Sequence, residues 1–326
     1  MSIYRQPPEW APHAFVWIGF PSHVELWRED LEPAREEVAA FASAVHAGGR
    51  GEEVRLVAAN AEAAAAARRL APFATVVEER FGDIWLRDTG PLVLSGGGGK
   101  VARSFAFNGW GGKYALEGDD SIGLRLAQAL GRPAERRDWI LEGGAIDVDG
   151  SGLAVTTEQC LLNPNRNPGL DREAVAARLR DDLGIERLLW LGEGLKGDHT
   201  DGHVDNLARF VAEGVLAVPV PESHDDPNAQ AYADARYRAD AFGLEVRALP
   251  SPGRVERDGA LVAASYMNFY IGNAAVVVPT YGAANDEAAV ELIGALFPGR
   301  DAVGLGAGHV LTGGGSFHCI SQQVPL

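Results

Sequence analysis

The feature that most constrains this chain is a recurrence. Five segments, IWLRDTGP, WILEGGAID, TDGHVDNLARF, SYMNFYIGN and GGGSFHCIS, each join apolar strand-type residues to polar ones, with small or turn residues nearby. One polar residue from each (Asp88, Glu142, His203, Asn268 and Cys319) gives successive spacings of 54, 61, 65 and 51 residues. That is the length of one small αβ unit, too short to bury its apolar face without help from its neighbours. Five such units fill the 326 residues. Closed in a ring, they would each deliver the corresponding strand end toward a common axis, as the blades of a propeller do.

Local patterns support mixed α/β structure. Apolar stripes with polar starts or glycine stops predict helices over about 33–47, 60–70, 120–130, 171–183, 228–242 and 285–297. Short β-type runs lie between them, among them VRLVA from Val54, ATVVE from Ala74, VARSFAF from Val101, LAVTT from Leu153, RLLWL from Arg187, GVLAVPV from Gly214, AAVVVP from Ala274 and DAVGLG from Asp301. Gly96 to Gly99 reads as a hairpin tip. No Pro/Gly/Ser-rich linker divides two composition regimes, so residues 1–326 are expected to form a single domain.

Charge narrows the partners. With 29 Lys+Arg against 45 Asp+Glu the net charge is −16, so nucleic acid and anionic membranes are poor partners and small cations are drawn in; the same charge also serves solubility. At 46% hydrophobic and 23% charged residues, neither disorder nor a coiled coil is indicated. No run approaches the roughly 18 to 20 apolar residues of a membrane span, and MSIYRQPPEW lacks a signal-peptide pattern, so the expected location is the cytoplasm. There the two cysteines, Cys160 and Cys319, stay reduced.

The segment DHTDGHVDNL is the most unusual. In an extended strand Asp201, His203 and Asp205 would share one face, and three ionisable groups on a buried face need a charged or polar ligand; a solvated edge strand is the alternative. The apolar run LARFVAEGVLAVPV that follows looks like a core strand. Cys319 follows three glycines that allow close backbone approach, and two readings stand for it: a packed core residue, or a nucleophile activated by His203. Strand alternation would point His318 the other way. Asp88, Glu142 and Asp205 could hold a planar guanidinium by paired charge-assisted hydrogen bonds, leaving its central carbon to a nucleophile below the plane. The simpler alternatives are a bridge from Asp88 to Arg87 and a turn role for Glu142. Cys160, in TTEQCLLNPNRN, reads as packed core at the start of a loop.

Other signals fail on context. GEGLKG, Gly192 to Gly197, has dinucleotide-type glycine spacing, but no helix pattern follows it to receive a phosphate. The glycines before Lys100 miss the P-loop pattern. His199 and His203 would pair on zinc only if the stretch were helical, which Gly202 opposes.

WLRDTGP, LEGGAIDVDG, LLNPNRNP, GDHTDGHVDN, ASYMNFYIGN, NDEAAVELI and GGGSFHCISQQ, in this order over essentially the whole chain, closely resemble the agmatine deiminases of the agmatine/peptidylarginine deiminase family. The resemblance implies a pentein fold of five αβ modules in pseudo-five-fold symmetry, an axial active site, and neither metal nor organic cofactor. It implies Cys319 as the nucleophile on the guanidinium carbon, His203 as general acid/base, Asp88 and Asp205 as clamps on the guanidinium nitrogens, and Glu142 as support for His203 and substrate. Trp85 matches an aromatic lining the substrate channel, and Asn268 a further substrate contact. The implied reaction converts agmatine to N-carbamoylputrescine and ammonia; arginine or peptidylarginine deimination, amidino transfer, a metal-dependent hydrolase and a non-catalytic scaffold similar to the ribosome anti-association factor are the alternatives. The family also hints at a homodimer. The chain departs from the family pattern at His199, where an acid is usual, and at WIGFPSH, from Trp17 to His23. Those departures bear on the tail of the substrate, for which Arg87 and Arg166 are the arginines at hand should the tail carry a carboxylate.

Overall fold

In the computed structural model, which describes residues 4–326, the recurrence is a topology. Five sheets share one plan: a first strand antiparallel to a second, then a helix, then a third strand parallel to the second. In the first module these are Leu92–Gly96, Gly99–Ala106, helix Asp119–Ala129 and Ala134–Ile140. The second has Ile146–Val148, Leu153–Thr157, helix Arg172–Leu183 and Arg187–Leu191. The third has Arg209–Ala212, Val215–Val220, helix Ala229–Phe242 and Glu245–Pro250, and the fourth Tyr270–Ile271, Ala275–Thr280, helix Asp286–Ala295 and Asp301–Gly306. The fifth is made from both ends of the chain. Ser321–Pro325 pairs antiparallel with His13–Phe20, which continues through helix Leu31–His46 to Glu53–Ala58.

All six expected helices are present within a few residues of their predicted bounds. Their ends follow the local chemistry: Asp171 and Asn60 each accept a hydrogen bond from the backbone N–H three residues on, and Gly184 and Gly243 close their helices at φ 68° and 91°. The middle strands are buried almost throughout, as strands covered on both faces must be. The outer strands carry charges, as in AERRDWI and EVRALP, which protect an open sheet edge and hide the strand from a hydrophobicity reading.

Three expectations change. The polar residues of the five segments sit in or beside single helical turns that precede each first strand, not at strand edges: Leu86–Thr89, Gly143–Ala145, Val204–Asn206, Tyr266–Asn268 and the turn over 317–320. Asp201, His203 and Asp205 share no strand face, because Asp201 and Gly202 take positive φ values of 64° and 86° before a 3-10 turn. LARFVAEGVLAVPV is a hairpin of two strands that turns at Gly214, φ 70°.

The five turns meet in sequence around one centre. Gly144 N donates to Asp88, Thr157 Oγ1 to Gly202 O, Ser265 Oγ to Asn206 O, His318 N to Asn268 O, and Arg87 N to Cys319 O, so the last turn touches the first. Beneath them the N-terminal segment inserts Glu9, 4% exposed. Its carboxylate pairs with Arg87 at 3.3 Å, Arg209 at 3.1 Å and His318 Nε2 at 2.8 Å, and accepts from Ile271 N at 2.8 Å. Burial alone would raise the Glu9 pKa, but Arg209, His318 and Arg87 hold it well below the ordinary value.

Glu9→Ala strands two buried guanidinium groups without their shared anion. It is expected to cost about 3–5 kcal/mol in a urea titration. Because the folded pKa is depressed, the stabilisation by Glu9 is full above the unfolded carboxylate value and is lost as pH falls through the folded value, so the variant should show a weaker acid dependence of stability than the parent.

Candidate active site

Each site residue has a local reason for its place. Asp88 is on a single helical turn that Gly90 and Pro91 end. Glu142 precedes two glycines whose smallness is required: a Cβ on Gly143 would lie 2.1 Å from Arg87 O, and one on Gly144 would lie 2.6 Å from His203 Nδ1, 2.9 Å from Asp88 Oδ1 and 3.0 Å from Asp205 Oδ2. Those three polar atoms, one from the turn before the first module and two from the turn before the third, therefore crowd against Gly144 of the second. Asp198 caps the loop that delivers His203, accepting from Thr200 N at 2.8 Å and His203 N at 3.2 Å.

Cys319 is 5% exposed and lines a cavity of about 210 Å³ together with Asp88, Trp85 and Trp110. The glycine triplet serves this approach: a Cβ on Gly313 would sit 2.5 Å from the Trp85 ring, and one on Gly315 would sit 2.7 Å from that ring and 3.1 Å from Cys319 Sγ. Asn268 turns its amide toward the thiol. Nδ2 is 3.0 Å from Sγ, while Oδ1 accepts from the backbone of His318 and Cys319 at 3.1 and 3.2 Å. Asn268 thus braces the cysteine and does not line the cavity.

The carboxylates have distinct partners. Asp88 accepts from Gly144 N at 3.0 Å and from Trp110 Nε1 at 2.9 Å, and lies 3.6 Å from His203 Nδ1. Asp205 Oδ2 is 2.8 Å from His318 Nδ1 and 3.5 Å from Cys319 Sγ, and its buried Oδ1 has no protein partner among the described residues. Glu142 lies 3.4 Å from His203 Nε2 through Oε2 and accepts from Arg166 Nε at 2.8 Å through Oε1. The bridge from Asp88 to Arg87, the simpler alternative for this residue, does not form, since Arg87 turns to Glu9. His318 does not point away: its two ring nitrogens lie 2.8 Å from Asp205 Oδ2 and 2.8 Å from Glu9 Oε2.

Burial pushes the Asp88 pKa up to about 6, with the charges of Asp205 and Glu142 adding to it while His203 and Trp110 oppose it. Asp205 and Glu142 end below the ordinary carboxylate range despite burial, held there by His318 and by His203 with Arg166 respectively. For His203, burial is outweighed by the Asp88 charge and by contacts with Cys160 and Glu142, so its pKa is raised well above the usual imidazole value. The Cys319 thiol is pushed well up, first by burial and then by the charges of Asp205 and Asp88. The free site thus holds a protonated thiol 3.5 Å from Asp205 and a protonated imidazole 3.6 Å from Asp88, with Asp88 and Cys319 on the cavity wall and Asp205, His203 and Glu142 buried behind them.

Sequence reasoning missed Trp110, Glu9, Arg209 and the roles of Arg166 and His318. FNGWGGKY carried a usable signal, a tryptophan among glycines in no regular element. Trp110 takes φ 52°, ψ 51°, a conformation costly for a bulky residue and held here by its bond to Asp88. Cys160 is buried as expected, but its thiol stands 3.8 Å from Glu142 Oε2, behind His203. Glu142, Cys160 and His203 bring three ligand-type atoms within 4.8 Å of one another; His199 is not among them, its ring lying against Tyr114 at the cavity wall with Nδ1 2.8 Å from the phenol. The stretch between them is not helical, so the zinc-type pairing of His199 with His203 does not form. Gly192, Gly194 and Lys196 of the GEGLKG string line a separate surface groove with no helix start after them.

The raised thiol pKa predicts slow alkylation of Cys319 by iodoacetamide at pH 7, in a Cys160→Ser background, with a rate that climbs as pH passes above the ordinary thiol value. Rapid labelling at neutral pH would contradict the electrostatic account.

A family model for the Porphyromonas-type peptidyl-arginine deiminase matches residues 5–325. An agmatine deiminase of Stutzerimonas stutzeri is 39% identical over 99% of this chain and 95% of its own. Among solved structures, the agmatine deiminase of Enterococcus faecalis superposes with TM-score 0.93 at 34% identity, covering 99% of this chain and 96% of that one. A cysteine-to-serine variant of the C. jejuni agmatine deiminase with substrate bound superposes with TM-score 0.91 at 28% identity, with the same coverage. The mixed α/β ring is accordingly of the pentein type, and the chain belongs to the Porphyromonas-type peptidyl-arginine deiminase family.

Proposed function

We propose that this chain, acting as one catalytic domain over residues 1–326, hydrolyses the guanidino group of agmatine to N-carbamoylputrescine and ammonia. The observation that carries the reading is the convergence of Asp88 Oδ1, Asp205 Oδ2 and His203 Nδ1 on one point, beside a cavity whose floor is Cys319. A guanidinium in that cavity, against this cluster, donates N–H bonds to Asp88 on the cavity wall and to Asp205 behind the thiol, whose Oδ1 is free, and presents its carbon to the sulfur.

The high thiol pKa makes the substrate part of its own activation. A cation between Asp88 and Asp205 cancels the charges that hold the proton on Cys319, so the thiol proton is released as the guanidinium binds. The thiolate adds to the guanidinium carbon, giving a tetrahedral adduct whose nitrogens remain clamped. His203, kept protonated by Asp88 and Glu142, gives its proton to the departing nitrogen; the C–N bond breaks and ammonia leaves an S-linked amidino intermediate. Neutral His203 then takes a proton from water as its oxygen attacks the same carbon, and the C–S bond breaks to leave the ureido product. Arg166 and Cys160 fix Glu142 behind the imidazole, and Asn268 fixes the sulfur.

Agmatine is favoured over arginine and peptidylarginine because no lysine or arginine lines the cavity to meet a carboxylate; Arg87 and Arg166 are both buried in internal pairs. No described helix is long and apolar enough to cross a membrane. We place the reaction in the cytoplasm, where a thiol nucleophile stays reduced. The family resemblance also favours a homodimer.

Incubation with agmatine should yield ureido product and ammonia in equal amounts, and a haloacetamidine should add mass to Cys319 as activity falls. No turnover of any guanidine would sink the proposal. His203→Ala should lower kcat by roughly 10² to 10⁴. Trp110→Phe removes a donor that favours the ionised form of Asp88, so the acid limb of kcat/KM, set near the Asp88 value of about 6, should move to higher pH. An unmoved limb would remove Asp88 ionisation from the rate law.

A further inference from the structure

Asp83 enters the turn that carries Asp88, and its half-buried carboxylate lines the same cavity as Cys319 and Trp85. It accepts from Trp27 Nε1 at 3.0 Å, Ile84 N at 2.9 Å and Trp85 Nε1 at 2.8 Å, all neutral donors. Among the described residues no lysine or arginine pairs with it. A second carboxylate stands behind it: Asp119 Oδ1 accepts from Gly82 N at 2.7 Å and Asp83 N at 3.3 Å, and its buried Oδ2 has no partner among the described residues. Burial raises the pKa of Asp83 and pushes that of Asp119 up to about 7, with His23 opposing both shifts, and only Asp83 lines the cavity, so the charge this end offers a ligand is that of Asp83.

The aromatic wall works in the same direction. Trp27 and Trp85 stack with centroids 6.3 Å apart at 29°, and both give their indole N–H to the Asp83 carboxylate; of the two only Trp85 lines the cavity, and the bond to Asp83 enriches the electron density on its ring face and strengthens its hold on a cation. Trp85 also spans the cavity, since its benzo edge approaches the point next to Cys319 Sγ while its pyrrole edge is tied to Asp83. Asp83 and Cys319 therefore stand at opposite edges of the Trp85 ring, and both line the one cavity.

We infer that Asp83, with the Trp85 ring it polarises, is a specificity-determining residue that selects guanidines bearing a second positive charge at the far end of a short alkyl chain. The inference rests on the guanidine-hydrolase reading above and names the residue that would choose among its substrates. A monocation of equal length fills the cavity and leaves Asp83 uncompensated. A chain ending in a carboxylate meets repulsion.

The test compares kcat/KM for agmatine with that for n-pentylguanidine, in which a methyl replaces the ammonium. The parent protein should prefer agmatine by on the order of tenfold or more, and Asp83→Asn should bring the ratio to within roughly threefold. A ratio unchanged in Asp83→Asn overturns the inference, as does a parent ratio near one with both compounds hydrolysed; in either case the guanidine-hydrolase reading stands. Turnover of neither compound by the parent overturns both. Asp83 holds two indoles, so a variant that fails to fold is replaced by Asp119→Asn, which leaves those bonds in place. In a Cys319→Ser background the ratio of calorimetric Kd values for the two ligands should fall severalfold on adding Asp119→Asn, and an unchanged ratio counts against the inference.

Discussion

The centre of this molecule is held by a buried anion. Glu9 comes from the N-terminal segment and meets Arg87 of the first module, Arg209 of the third, the backbone of Ile271 in the fourth, and His318 beside the fifth. Isolated, each of these charges would be costly to bury; joined, they tie four modules to one carboxylate. Arg209 also reaches Asp147 at 3.2 Å, which brings in the second module. Ring closure by the Ser321–Pro325 and His13–Phe20 pairing sets the circumference, and the Glu9 network fixes what faces the axis.

That network reaches directly into the candidate site. His318 bridges Glu9 on one side and Asp205 on the other, 2.8 Å from each, so the carboxylate that faces the thiol is oriented by the same anion that joins the modules. On the opposite side Arg166 holds Glu142, which holds His203. The socket between them has Asp88, Asp205 and Glu142 close together, with thiol and imidazole both keeping their protons. Under the mechanism we propose, a bound guanidinium completes this site, and affinity and activation come from one event, because the charge that the carboxylates bind is the charge that frees the thiolate.

The walls add discrimination. Three glycines bring the backbone against Trp85 and Cys319, leaving a slot suited to a flat group, and Trp110 accepts backbone strain to hold Asp88. Beyond the slot, Asp83 adds a carboxylate to the cavity wall, in keeping with an overall charge of −16 that draws small cations in.

The amino-acid sequence by itself determined the element types, the five-fold recurrence and most of the residues at the axis. These are local properties: periodicity marks helices such as Arg172–Leu183, valine runs mark strands such as Ala275–Thr280, and paired glycines flag close approach at Gly143 and Gly144. Only the tertiary structure decided which way the polar residues face. Period-two reasoning placed Asp201, His203 and Asp205 on one strand face, whereas positive φ at Asp201 and Gly202 turns Asp201 away to Lys113 and Arg166 and leaves the other two at the centre. The same reasoning sent His318 away from the site it supports. Glu9, Trp110, Arg166 and Arg209 were illegible for a related reason. Their partners lie tens to hundreds of residues distant, and a charge or indole has no sequence signature for a neighbour that only ring closure brings within 3 Å or so of it.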